Sequence, residues 1–99
     1  MVTRAKVKSR KQFDKKLAQI WKRIGQGGQV EIAAMYEVGK GPRVWFGCDG
    51  LYLTMPIEAA RRFAVKFQEA EALDPSLGTL GRDFATAADM AEASTAPVQ

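Results

Sequence analysis

The spacing of apolar positions changes twice along this chain. Phe13, Leu17, Ile20, Trp21 and Ile24 recur every three or four residues, the period of one helical face, and predict an amphipathic helix over residues 10–24. Ser9 with Gln12 three positions later fits a capping box at its start, and Gly25 stands where a C-terminal glycine cap belongs. From Val30 the period falls to two. Val30, Ile32, Ala34, Tyr36 and Val38 alternate with Glu31, Ala33, Met35 and Glu37, the signature of a strand, and Gly25, Gly27 and Gly28 before it read as a flexible connector. A turn cluster, Gly39-Lys40-Gly41-Pro42, precedes a second β-type run, Arg43 to Cys48. Asp49-Gly50 then supplies the two-residue type I′ hairpin signal. With those two as the loop, Cys48 pairs with Leu51, Phe46 with Leu53 and Val44 with Met55 on one face. The other face carries Arg43, Trp45, Gly47, Tyr52 and Thr54, with Tyr52 opposite Gly47.

Pro56 fits the first position of a second helix, with Thr54 or Met55 as its cap. Ile57, Ala60, Phe63, Ala64 and Phe67 form its apolar stripe, Glu58 and Arg62 pair at i, i+4, and Asp74-Pro75 is read as the stop after Leu73. Beyond it large apolar residues are sparse, and the Ala-rich stretch from Phe84 to Ala93 reads as a frayed helix at most. The expected fold class is therefore α+β: an N-terminal amphipathic helix, a three-stranded antiparallel β-meander and a second helix (α-β-β-β-α), followed by a disordered C-terminal tail. The expected organisation is a flexible basic arm over 1–8, one α+β domain over 9–73 and the tail over 74–99.

Composition agrees with a folded domain: 99 residues, 46% apolar and 26% charged. No apolar run reaches the length of a membrane span, the N-terminus lacks the apolar core of a signal peptide, and the single cysteine, Cys48, precludes an internal disulfide. A cytoplasmic location is the expectation. The net charge of +4 conceals a steep asymmetry. Residues 1–23 carry nine bases, Arg4, Lys6, Lys8, Arg10, Lys11, Lys15, Lys16, Lys22 and Arg23, against Asp14 alone, whereas residues 58–99 carry four bases against seven acids. A positive block of that density draws phosphates, anionic lipid or an acidic protein surface, or serves as a solvated face.

Candidate chemistry is limited by what is missing. Without histidine there is no imidazole base, no imidazole metal ligand and no triad built on one. Cys48 reads as a small buried hydrophobe, and Glu31, Glu37, Asp49 and Glu58 show no spacing diagnostic of an acid–base pair. The glycines at 25, 27 and 28 do not match a phosphate loop. No catalytic residue, metal ligand or cofactor is assigned, and the expectation is a non-enzymatic protein. Its leading candidate ligand is nucleic acid, DNA or RNA, held by the nine bases above with Arg43, and by Trp45 and Tyr52 as stacking groups on the second sheet face beside Met35. Glu31 and Glu37 share that face and repel phosphates, so a face covered by the N-terminal helix or by a second copy stays open as the alternative. A core of this size also leaves a homodimer through that face or a strand edge open. The other function class is a protein-binding adaptor or inhibitor that docks its basic helix or sheet edge on an acidic partner. The step Gly50-Leu51-Tyr52-Leu53-Thr54 into a helix resembles the C-terminal half of small single-strand-binding coactivator domains. That step is generic and covers a minor part of the chain, so no family is assigned from it.

Overall fold

The computed structural model describes the backbone of residues 2–93 and the side chains of residues 11–93. Its order is α1 (Val2–Gly25), β1 (Val30–Glu37), β2 (Gly41–Cys48), β3 (Leu51–Pro56), α2 (Ile57–Glu69) and α3 (Pro75–Ala93). The fold is mixed α+β, with the strands in one antiparallel meander of order β1-β2-β3. Contacts group the chain into two compact units, one of Met1–Glu31 with Phe46–Leu53, the other of Ile32–Trp45 with Thr54–Gln99.

In the first unit the apolar stripe of α1 is the buried side of the helix. Ile20 is fully buried, Phe13, Leu17, Trp21 and Ile24 are half-buried, and the Trp21 ring tilts against Phe46 at 5.7 Å between centroids. The helix begins at Val2, so Ser9 and Gln12 lie within it and not at its start. Its end departs from the expected Gly25 cap. The left-handed residue is Gly27, at φ +90°, while the Gly28 N–H donates to the Arg23 carbonyl and the Gly27 N–H to that of Ile24, at 2.9 and 3.0 Å. This is a Schellman closure with Gly27 at its left-handed position. Gly28 answers a different demand. A β-carbon there would run into Cys48 Sγ and lie 2.9 Å from the Arg23 carbonyl oxygen, so only a bare backbone passes. The glycines expected to form a flexible connector are thus a capped and tightly fitted exit from the helix.

The hairpin has the expected turn. Asp49 at φ +52° and Gly50 at φ +86° give the two left-handed residues that a type I′ turn requires. Phe46, Cys48 and Leu53 are buried, and a β-carbon on Gly47 would meet Tyr52 Cβ at 2.9 Å, which places Tyr52 opposite Gly47.

The second unit holds the main correction. Residues 75–93, expected to be a disordered tail, form the 19-residue helix α3, and its buried positions are Gly78, Gly81, Phe84, Ala87, Ala88 and Ala91. These recur at helical spacing, but most are too small to register as an apolar stripe. Small residues allow α3 to approach α2 closely. A β-carbon on Gly81 would lie 2.8 Å from the Ala64 carbonyl oxygen and 2.9 Å from the Gln68 nitrogen, and one on Gly78 would strike Glu71. Phe84 is fully buried and meets Phe63 and Phe67 at 5.7 and 5.6 Å between centroids. Arg61 bridges from α2 to Asp89, at 2.9 Å, and to Glu92 on α3. Low numbers on α2 therefore face high numbers on α3, an antiparallel helical hairpin. The two anionic partners hold the Arg61 guanidinium above its already high pKa.

Helix α2 ends at Glu69, short of the expected Leu73, and its N-cap is Pro56, with no side-chain cap from Thr54 or Met55. Asp74-Pro75 acts as a start signal as well as a stop. Asp74 Oδ1 accepts from the Ser76 N–H at 3.0 Å and from the Ser76 hydroxyl at 2.8 Å, and Pro75 opens α3. This is the N-cap and first-position pairing that begins helices. The same two bonds hold the Asp74 carboxyl below its usual range.

Two predictions follow from the α2–α3 contact. Gly81→Leu forces the helices apart and is expected to cost about 1–3 kcal/mol or more, while Phe84→Ala costs about 3–5 kcal/mol; both are read from urea unfolding midpoints. Because the folded Asp74 carboxyl titrates below its unfolded value, its contribution is present above about pH 4 and is lost as pH falls through the lower, folded value. Asp74→Asn should therefore flatten the part of the acid-side decline in melting temperature that Asp74 causes, as followed by circular dichroism between pH 6 and pH 2.

Candidate functional site

The basic residues of α1 divide into two rows by helical geometry. At about 100° per residue, Lys11, Lys15 and Lys22 fall within an arc of roughly 40°, nearly opposite the buried stripe and spread over about 16 Å of helix axis. All three are exposed. Lys16 and Arg23 form the second row, on the flank of the helix next to the stripe, and the structure gives each a partner. Lys16 Nζ stands 5.7 Å from the centre of the Tyr52 ring, a cation–π contact. Arg23 Nη1 donates to the Asp49 carbonyl at 2.9 Å, while Asp49 Oδ1 accepts from the Gln29 N–H at 3.2 Å. The hairpin tip is clasped to the end of α1 through these bonds, and this fixes which way the helix turns its stripe. Lys11, Lys15 and Lys22 then point to solvent. The side chains of Arg4, Lys6, Lys8 and Arg10 lie outside the described side chains, and the backbone of residues 2–8, expected to be a flexible arm, is the first part of α1.

The residues of the expected sheet platform differ in exposure. Tyr52 stays 43% exposed, in the unit that contains α1. Trp45, Arg43 and Met35 belong to the other unit and are half-buried. Arg43 is engaged internally: its Nε lies 3.2 Å from both Glu37 Oε1 and Thr54 Oγ1, and its Nη2 donates to the Thr54 carbonyl at 3.2 Å. The Thr54 hydroxyl in turn donates to Glu37 Oε1 at 3.0 Å, and Lys40 Nζ approaches the other Glu37 oxygen at 3.5 Å. With its side chain 17% exposed, Arg43 ties the sheet together and neutralises Glu37. Of the two acids expected to repel phosphates on this face, Glu37 is thus already paired, and Glu31 is exposed.

Cys48 has the surroundings of an inert thiol. Burial pushes its pKa up, the Asp49 carboxylate adds to that, and Arg23 offsets only part of it. Among the described residues no three acidic or cysteine side chains converge to hold a metal ion, and no helix is long and apolar enough to cross a membrane.

A further concavity escaped the sequence reading because its wall lies in the segment expected to be disordered. Ile32, Ala33 and Ala34 of β1 line it on one side, and Asp83, Thr86, Ala87 and Met90 of α3 on the other. The helical recurrence of Gly78, Gly81, Phe84, Ala88 and Ala91 was the sequence signal for that wall. No protein-family model, curated protein or solved structure matches this chain.

The role given to Arg43 has a direct check. Arg43→Met is expected to destabilise the fold by about 1–2 kcal/mol, because it strips Thr54 and Glu37 of a charged donor, and to leave affinity for a polyanion such as heparin unchanged. Urea denaturation and heparin-column elution, compared with Lys15→Gln, separate the two roles.

Proposed function

We propose that this protein is a small, non-enzymatic nucleic-acid-binding protein that engages phosphates through α1. The observation that carries this reading is the exposed row of Lys11, Lys15 and Lys22 on the side of α1 away from its buried stripe. A row of cations across several phosphate spacings releases counterions on binding and yields affinity without base choice. Arg4, Lys6, Lys8 and Arg10 extend the charge along the same segment, and Asp14 alone opposes it. Tyr52 with Lys16 at its ring adds an aromatic beside the bases, the combination that single-strand binders use for stacking. Arg43 drops out of the proposed contact set because its Nε and Nη2 bond inside the fold, and half-buried Trp45 is left out of it. A reducing, cytoplasmic setting belongs to this reading and rests on the single buried thiol.

The same row also suits an acidic protein surface, and the adaptor reading survives as the alternative on that ground. Fluorescence anisotropy with labelled single- and double-stranded DNA and RNA at several salt concentrations distinguishes the two. Nucleic-acid binding predicts a log affinity that falls linearly with log salt. The triple variant Lys11→Gln, Lys15→Gln, Lys22→Gln is expected to shrink that slope by about two to three, at roughly 0.9 per phosphate on duplex DNA and 0.7 on a single strand. No binding at low salt, or an unchanged slope in the triple variant, overturns the assignment. One stoichiometric protein partner retained after nuclease treatment and lost in the same variant would establish the adaptor in its place.

A further inference from the structure

Strand β1 is an edge: β2 pairs with one side of it, and among the described residues no strand takes the other. An open edge offers a row of main-chain donors and acceptors to any extended chain that reaches it. Ile32, Ala33 and Ala34 together line a groove of about 270 Å³. Successive side chains of a strand point to opposite faces, so a groove lined by all three consecutive residues reaches the main chain of β1. The opposite wall, Asp83, Thr86, Ala87 and Met90, recurs at i, i+3, i+4 and i+7, which is a single face of α3. The groove therefore runs beside the open main chain of β1, with a helix for its far wall.

Its lining suits a backbone better than a bulky ligand. Ala33, Ala34 and Ala87 leave the approach to β1 unobstructed, and Met90, 59% exposed, supplies a pliable apolar contact. Asp83 is exposed and carries the lining's only charge, and Glu31, the residue before Ile32 in β1, is exposed as well. We propose that this groove takes an extended peptide segment of another protein, with basic residues alternating with small apolar ones, as a fourth strand on β1. Main-chain bonds to the edge supply affinity, and a base facing Asp83 supplies selection. A second copy of β1 fits less well. Antiparallel self-pairing centred on Ala34 sets Glu31 of each copy against Glu37 of the other, centring on Ala33 sets it against Met35, and neither register brings a base to Asp83.

The test uses the full chain, isotopically labelled for amide NMR, and two acetylated, amidated nonapeptides, one alternating Val with Lys and one alternating Val with Glu. The Val–Lys peptide is expected to shift the amides of residues 32–35 and 83–90 and to slow hydrogen exchange at alternate β1 amides, while the Val–Glu peptide does neither. Asp83→Lys weakens binding about fivefold or more. Thr86→Trp, which fills the groove from an exposed position, removes the shifts and leaves the melting temperature unchanged. Three results overturn the proposal: no shift in β1 or α3, equal binding of the Val–Glu peptide, or binding indifferent to Thr86→Trp. A free chain that sediments as a dimer through protected β1 amides overturns it too and assigns the groove to a second copy. The site is independent of α1, so the chain lacking the three α1 lysines keeps it, and failure of either reading leaves the other standing.

Discussion

The fit of the helix exit against the hairpin tip is the constraint from which the basic surface follows. Asp49 adopts a left-handed backbone to close the turn, accepts the Gln29 amide on its side chain and receives Arg23 on its carbonyl. Gly28 passes so near Cys48 and Arg23 that no side chain fits. With its last turn held in this way, α1 can bury only the face that carries Ile20 and Trp21. Lys11, Lys15 and Lys22 are on the far side by helical geometry alone, so the direction of the charge is a consequence of packing and not of the charges themselves.

Within the other unit the same economy of side-chain volume operates between helices. Gly81 lets α3 lie close to α2, and one large residue, Phe84, fills the space between them against Phe63 and Phe67. Close packing of this kind concentrates dispersion contacts on few residues, which makes the helical hairpin sensitive to any added methylene. The Arg61 bridge to Asp89 and Glu92 is exposed and contributes to register more than to stability.

Charge is sorted between the two units. The unit with α1 holds all nine bases of the N-terminal segment, while α3 carries Asp83, Asp89 and Glu92 against Arg82 alone. Each unit thus has a surface of its own sign: a helical row suited to phosphates, and a strand-edge groove with an acidic wall. Phosphate contacts depend on salt and carry no sequence information, whereas main-chain pairing at a strand edge depends on geometry and is selected by alternate side chains.

The sequence by itself determined the elements whose signals are local and strong. The period-3.6 stripe from Phe13 to Ile24, the Asp49-Gly50 turn with its register and the stripe of α2 hold in the structure, because periodicity and turn chemistry act within a few residues, whereas the alternation from Val30 holds only to Ala34: Met35 and Glu37 are the half-buried residues beyond it, and Tyr36 and Val38 are exposed. The net positive charge of the N-terminal segment was equally legible. Tertiary structure decided the rest. Residues 75–93 fold against α2 where Gly81 lets the two backbones approach, and a scan for large apolar residues does not register a helix that is stabilised by closeness. Asp74-Pro75 reads as a stop from one side and as a cap from the other, and only the presence of α3 selects the second meaning. Arg43 looked like a ligand for phosphate and is a tie within the sheet, since a base is committed or available according to the acceptors that folding brings within reach. Partners distant in sequence, such as Glu37 and Thr54 around Arg43 or β1 beside α3, are set by long-range packing, which local pattern cannot encode.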